Sequence, residues 1–499
     1  MKQSYLILTS LIALTLGSCK KDFLNTEPTQ FTTPERLGAA AKQDPKLLVG
    51  NVAGLYTTMF TVGVGGVGGA DDFGQKGIDI YTDMLQSDMV LGAVNYGWYS
   101  SLARYNASID FTVNEVYIPF RYFYRQIFGA NTIIDILGGT NSVPTDDGNK
   151  YTMGQAKAMR AYAYFYLSQL YGKEYGAGTD KLIPIYTSAN QLNQSKATTK
   201  EVYDLMVKDL NDAISLLTGF TRSTKDQVDI NVARGLLVYV LSARGTEADL
   251  AQVVSLTDLL MKAYPKTTPA NLYFNGTNAT STTAGFNNVA TPSWIWGVDI
   301  TLAQGINLGS WWGQVDLFTY SYAWAGDGKI IDLGLYNQIG SDDIRKNQFR
   351  SPTQSYAGFP IGKFWAPART IGGQRLVETD NLYMRSDEFY LLNAEANARL
   401  NKSSEARTAL KSFLSDRKTD VSYIDALSGE ALLNEIYLQT RIELWGEGKA
   451  YLAMKRLKRN VVRGTNHLFS ASETIPYSDP RLTFVIPQTE VLNNPNLNK

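Results

Sequence analysis

The chain has 499 residues, 44% of them hydrophobic and 19% charged, a composition for a large folded protein of about three domains or one long helical array at roughly 150 residues per domain. Forty-seven basic residues balance forty-seven acidic ones, so no net field draws the protein to nucleic acid or to an anionic bilayer. A single cysteine, Cys19, excludes an intramolecular disulfide and a Cys-rich zinc site, and a single histidine, His467, leaves no partner for a His-based metal site; no metal or cofactor is expected.

Residues 1–18 read as an export signal. Lys2 supplies the positive start, and Tyr5 to Leu16 is an uncharged, mostly apolar run, shorter than the roughly 20 residues a membrane-spanning helix needs. Leu16-Gly17-Ser18-Cys19 resembles a bacterial lipobox, in which cleavage leaves the cysteine as the lipid-bearing N-terminus. Residues 19–35, beginning Cys19-Lys20-Lys21-Asp22-Phe23, would then be the lipidated cysteine and its tether. No other segment is apolar enough to span, so the expectation is a protein anchored to a membrane by lipid.

Helical periodicity dominates residues 36–264 and 365–499. In Thr199–Leu217, Tyr203, Met206, Leu210, Ala213, Ile214 and Leu217 recur every three or four positions, and Thr198 with Glu201 forms a capping box at its start. The same stripes predict helices over 116–137, 154–171, 231–243, 250–263, 386–400, 404–413 and 430–445. Gly172, Gly245 and Gly448 fall where helices stop or turn. Short connections make antiparallel hairpins, and small residues such as Ala161, Ala163, Ala233, Ala394, Ala396 and Ala398 suit close crossings. The predicted fold is therefore mainly α, a helical-hairpin scaffold of tetratricopeptide (TPR) type. Residues 265–364 lack a sustained helical period and are rich in Gly, Asn, Thr, Ser and aromatics. They read as a large loop-rich, partly β insertion, and loops of that size carry function more often than not.

Several segments then line up in order. They are the post-cysteine run to Pro28, Gln155–Tyr171 (QAKAMRAYAYFYLSQLY) with Gly172 and Pro184 after it, and Asp387–Leu400 (DEFYLLNAEANARL). Arg441-Ile-Glu-Leu-Trp-Gly-Glu-Gly, Lys455-Arg456 and the closing Val485-Ile-Pro-Gln-Thr-Glu-Val-Leu-Asn-Asn-Pro-Asn-Leu complete the set. Together they resemble the SusD/RagB family of outer-membrane nutrient-binding lipoproteins. One departure is that an Arg and an Asp of the family's helix after Glu-Gly are replaced here by Ala450 and Ala453. Both ends of an ion pair are lost together, which strands neither charge.

The resemblance implies a surface-exposed lipoprotein of the outer membrane, anchored through Cys19. It would bind oligosaccharide, without catalysis, for a SusC-like TonB-dependent transporter. An alternative within the family is capture of peptide, as in RagB-like members. A glycoside hydrolase is the enzyme alternative, but no local motif nominates its pair of carboxylates about 5–10 Å apart.

A sugar offers apolar C–H faces and a rim of hydroxyls, so its binder needs exposed aromatic planes with polar groups beside them. Trp294, Trp296, Trp311, Trp312 and Trp324 concentrate in the insertion with Tyr320 and Tyr322, and Gln314, Asp316 and Asp327 lie nearby. Trp294 and Trp296 alternate like one face of a strand and are assigned to the core. Trp311, Trp312 and Trp324, with Gln314 and Tyr320, are assigned to the ligand. Asn95, Tyr96, Trp98 and Arg104 make a second patch, and the resemblance implies that loops of this N-terminal part form one wall of the glycan site and mid-chain loops the other. Asp71 and Asp72, after the glycine-rich 63–77, offer either hydroxyl acceptors or a solvated turn; Asp72 is carried as a candidate. The glycine run itself lacks the Gly-Lys-Ser/Thr of a phosphate loop, and 71–83 lacks the ligand spacing of a calcium loop.

Overall fold

Apolar stripes and polar connections alternate along the chain, and the stripes become helices: α1 (Val49–Thr57), α2 (Gln75–Leu85), α3 (Asn114–Ile136), α4 (Asp147–Tyr171), α5 (Thr199–Leu216), α6 (Ile230–Arg244), α7 (Glu247–Ala263), the short α8 (Trp311–Val315), α9 (Asp387–Arg399), α10 (Ser403–Leu414), α11 (Gly429–Glu443), α12 (Ala450–Leu457) and α13 (Gln488–Asn493). The computed structural model describes residues 34–41 and 43–499; the expected export signal, Cys19 and the tether as far as residue 33 lie outside them. A helix Pro34–Ala41 belongs to a unit ending at Leu47, and Leu48–Lys499 form a second unit, to which everything below refers. Among the described residues no helix is long and apolar enough to cross a membrane.

The long helices pack in chain order, α3 on α4, α4 on α5, α5 on α6 and α6 on α7, and α9 continues the array by packing on α7. Local chemistry sets the turns. Thr198 and Glu201 close the capping box of α5, and Thr246 and Asp249 do the same for α7. Gly245, at φ +70°, ends α6 in the left-handed region that a Cβ disfavours. Arg244 then clamps Asp249 with bonds of 2.9 and 2.6 Å, fixing the α6–α7 hairpin. Helix α4 runs through the middle of the array, with Ala156, Ala158, Ala161 and Ala163 fully buried at its crossings. Aromatic stacks continue outward from it, Phe123 on Tyr166 at 5.4 Å and Phe165 on Tyr239 at 5.8 Å. Ala450 and Ala453 of α12 are also fully buried, so the positions that lack the family's ion pair are packed as plain core.

Residues 265–380 leave this array between α7 and α9 and return to it. Strands β2 (Lys181–Pro184) and β3 (Lys196–Thr198) pair with each other between α4 and α5, whereas the 265–380 segment contains short helices and two strands, β4 (Trp294–Val298) and β5 (Lys329–Ile331), each paired outside the segment. β5 runs antiparallel to β1 (Met89–Leu91), with Met89 opposite Ile331, and β4 runs antiparallel to β6 (Asn381–Arg385). The insertion is thereby stitched to the N-terminal loops on one side and to α9 on the other. Trp294 and Trp296 are buried, as the alternation suggested, although the whole of β4 is covered on both faces.

A buried ion network locks this return. Four cations, Arg345, Lys363, Arg385 and Arg417, meet four carboxylates, Asp343, Asp387, Glu443 and Glu447. Arg385 of β6 reaches Glu443 at 2.9 Å and Glu447 at 2.7 Å, while Arg345 from the insertion reaches Glu443 at 3.2 Å. The balance of charge is what lets so many ions leave water together.

Candidate functional site: an aromatic platform between two loops

The first wall begins with the glycine run. The Asp72 carboxylate accepts backbone N–H bonds from Gly65 at 2.6 Å, Val67 at 3.0 Å and Gly68 at 3.3 Å, and it is fully buried. Asp72 therefore shapes the glycine loop from inside, and its expected role as a ligand contact is corrected. The loop's own purpose is close approach: a Cβ on Gly69 would stand 3.1 Å from the Trp98 ring, so that indole rests on bare backbone.

The loop carrying Asn95, Tyr96 and Trp98 leaves β1 and is held from the second wall. Gly92 N–H donates to Gly328 O at 2.8 Å. The Asp327 carboxylate accepts from the backbone N–H of Asn95 and from that of Tyr96, the latter at 2.9 Å. Asn95 Nδ2 donates to Ala325 O at 3.1 Å, which spends that amide on joining the loops.

The second wall is Tyr320–Trp324. Ser321 and Ala323 point inward and are buried, whereas Tyr320, Tyr322 and Trp324 point out. Tyr322 N–H is tied to Gly313 O at 2.8 Å, and Tyr320 N–H to Gln374 O at 2.8 Å. This alternation sets Tyr322 against both rings of the first wall, 5.2 Å from Tyr96 and 5.9 Å from Trp98 between centroids. Tyr320 and Trp324 pair at 5.2 Å, and the Arg375 guanidinium lies over Tyr320 at 3.9 Å. The five rings fall in two contacting groups, Tyr96–Trp98–Tyr322 and Tyr320–Trp324, carried on the two joined loops and together called the platform, with Tyr96 60% and Trp324 42% exposed. Tyr322 and Arg375 join it without having been singled out as ligand contacts; the small–large alternation of 320–324 was the available signal for Tyr322.

Trp311, Trp312 and Gln314 are corrected. Helix α8 is buried on every side, both indoles are 1% exposed, and they pack on Phe364 at 5.3 and 6.2 Å. Gln314 donates to Ala70 O at 2.8 Å and accepts from Lys329 Nζ at 2.6 Å, inside the protein. These residues have no face left for a sugar, and α8 meets the second wall through Gly313 O, which accepts from Tyr322 N–H. Trp312→Ala is accordingly expected to cost about 3–5 kcal/mol of stability, measured by denaturant unfolding, instead of removing a binding surface from an intact fold. Arg104 is exposed but lies over Phe469 at 3.6 Å, apart from the five rings.

Burial dominates the electrostatics under the platform. It pushes the Asp71 and Asp316 carboxyls up to about 7, and it pushes the Lys329 ammonium down to about 7. Asp71, Asp72, Asp316 and Asp327 are all buried, and the last three are occupied by hydrogen bonds from loop backbone. The outward surface of the five rings is thus apolar ring faces and phenol edges with a guanidinium beside them, a set that can grip a sugar ring.

Comparison with known proteins agrees with this architecture. Residues 66–229 match a family model described as starch-binding, associating with the outer membrane, and residues 314–499 match the model of the SusD family. No curated protein matches the chain. Among solved structures, a SusD-like carbohydrate-binding protein of Bacteroides vulgatus superposes with a TM-score of 0.73 at 22% identity, covering 90% of this chain and 96% of its own. A SusD superfamily protein of Bacteroides fragilis gives 0.70 at 21% identity, covering 94% and 100%. Surface glycan-binding protein A of Bacteroides thetaiotaomicron, solved in complex with laminarihexaose, gives 0.65 at 14% identity, covering 90% and 98%. With models of one family matching both its N-terminal and C-terminal parts and that family's fold along its length, the chain belongs to the SusD/RagB family.

Proposed function

We propose that the protein captures oligosaccharide on the Tyr96–Trp98–Tyr320–Tyr322–Trp324 platform and holds it, uncleaved, for a TonB-dependent outer-membrane transporter. It does so as a lipoprotein anchored through Cys19 and exposed at the cell surface. The observation that carries this reading is the platform itself: five rings from two loops, partly or largely exposed, bonded in place from behind. Aromatic faces match the C–H faces of pyranose rings, and the phenol hydroxyls and Arg375 stand at their edges for the hydroxyl rim. Family membership supports it, as does the laminarihexaose complex of a protein sharing the fold. Binding without hydrolysis is supported by the inward orientation of the four aspartates of the region.

The test uses the mature protein, titrated with a panel of neutral and acidic oligosaccharides and of peptides by calorimetry, each mixture then analysed for products. Saturable binding of a glycan with no product is expected. Binding of peptides alone would move the protein to the peptide-capturing branch, and release of shorter sugars would make it a hydrolase.

A further inference from the structure

The glycine loop that backs Trp98 through Gly69 also touches a second feature through Gly66, where a Cβ would stand 2.4 Å from Arg121 Nε. Arg121 belongs to an open groove of about 710 Å³, within the range of ligand pockets. One wall is the outer face of α3, with Tyr117, Arg121, Tyr124, Arg125 and Phe128 in a row; the other includes Tyr186 and, on α13, Glu490. The inner face of the same helix, Val116, Phe120, Phe123 and Ile127, is ordinary core. An outer face is normally solvated and polar, yet here Phe128 is 59% exposed.

We propose that this groove is a second saccharide subsite, selective for an anionic sugar whose carboxylate or sulfate is bound by Arg121 and Arg125. The inference rests on the glycan-capture reading above and deepens it by naming the ligand class. Arg121 donates to the Tyr117 hydroxyl at 2.9 Å, and Arg125 reaches the Val64 carbonyl at 3.5 Å; neither guanidinium pairs with a carboxylate among the described residues. Each has five donors, so most are unspent. At a spacing of four on one helix face the two charges are neighbours and repel, so the pair gives the free helix nothing. An oxyanion between them relieves that repulsion and takes charge-assisted hydrogen bonds. The rings of Tyr124, Phe128 and Tyr186 offer the apolar faces on which the rest of the sugar can lie. Glu490, held by Asn494 Nδ2 at 2.7 Å, is the one acidic side chain lining the groove, leaving it net positive.

The test titrates the mature protein with three probes: a neutral glucan hexasaccharide, an oligogalacturonate and a sulfated chondroitin oligosaccharide. Wild type is compared with an Arg121→Gln/Arg125→Gln double variant, with Glu490→Gln and with Trp98→Ala, at low and high salt. At least one acidic probe is expected to bind wild type, and the double variant to weaken it by about tenfold or more. Neutral-glucan affinity should stay within about twofold in that variant. Added salt should weaken only the acidic probe, and Glu490→Gln should tighten it. The carboxylated and sulfated arms identify which oxyanion is read. The double variant alters exposed side chains, so its thermal melting should match wild type. An acidic probe that ignores both arginines, or binding of the neutral glucan alone, overturns the inference while leaving glycan capture standing. Failure of every glycan overturns both.

Discussion

Glu443→Ala is expected to destabilise the protein by about 3–5 kcal/mol, seen as a lower midpoint in urea. Glu443 is fully buried and takes ion pairs from Arg345, Arg385 and Arg417, which come from the insertion, from β6 and from the chain after α10. Removing its carboxylate leaves three buried guanidiniums facing a net excess of positive charge. Burial on its own would raise the Glu443 carboxyl, but Arg417, Arg385 and Arg345 outweigh it and hold the group well below the usual carboxylate range. The stabilisation is therefore present above the unfolded carboxyl value of about 4.3 and is lost as pH falls through the folded value. The opposite sign belongs to Asp71, Asp316, Asp380 and Glu388, whose carboxyls burial pushes up to about 7. Their contribution is full in acid and is lost as pH rises through that value. The difference in stability between wild type and Glu443→Ala isolates the first effect: it should be largest near neutrality and shrink in acid. A difference that does not change with pH would mean that the network's charge is not what holds the insertion to α11.

The second large effect is on binding. Trp98→Ala and Trp324→Ala should each lower oligosaccharide affinity by about 2 kcal/mol, or roughly 30-fold, with little loss of melting temperature for Trp324→Ala. Trp98 lies on Gly69 and against Tyr322, and Trp324 lies on Tyr320 with Gly372 close beneath it. Trp324 is exposed and is truncated at little cost to the core, whereas Trp98 is half-buried and packs on the core edge, so its alanine variant is expected to lose somewhat more stability than that of Trp324. Phenylalanine at either site should restore part of the affinity by returning an apolar plane. Calorimetry on the four variants checks this. Unchanged affinity in both alanine variants would remove the platform from consideration.

Much of the scaffold was legible because its helices are amphipathic in sequence. The stripe over 116–137 became Asn114–Ile136, and that over 199–217 became Thr199–Leu216 with its capping box intact. Helix α2 does carry a helical period, with Ile78, Tyr81, Met84 and Leu85 on one side and Gln75, Lys76, Asp79 and Asp83 on another, but it begins inside the glycine-rich run 63–77 that reads as loop, and both of its faces are buried. Trp311 and Trp312 differ from expectation for another reason: a region without helical period can still be enclosed, and α8 is a five-residue helix buried on all sides. Trp98, Tyr96, Tyr320 and Trp324 were legible as aromatics in loops. Their meeting depends on β1 pairing with β5, a contact between distant strands of three residues that leave no local signal. Asp327 shows the same dependence: in sequence it is a polar neighbour of the aromatics, and the fold spends it on the backbone of Asn95 and Tyr96.

A crystal structure of the protein with a bound hexasaccharide tests the central claim most directly. Sugar rings should lie with their C–H faces on Trp324 and on the Tyr96–Trp98 pair, with Arg375 and the phenol hydroxyls at their edges. Sugar density elsewhere on the molecule, with these five rings bare, would contradict the assignment.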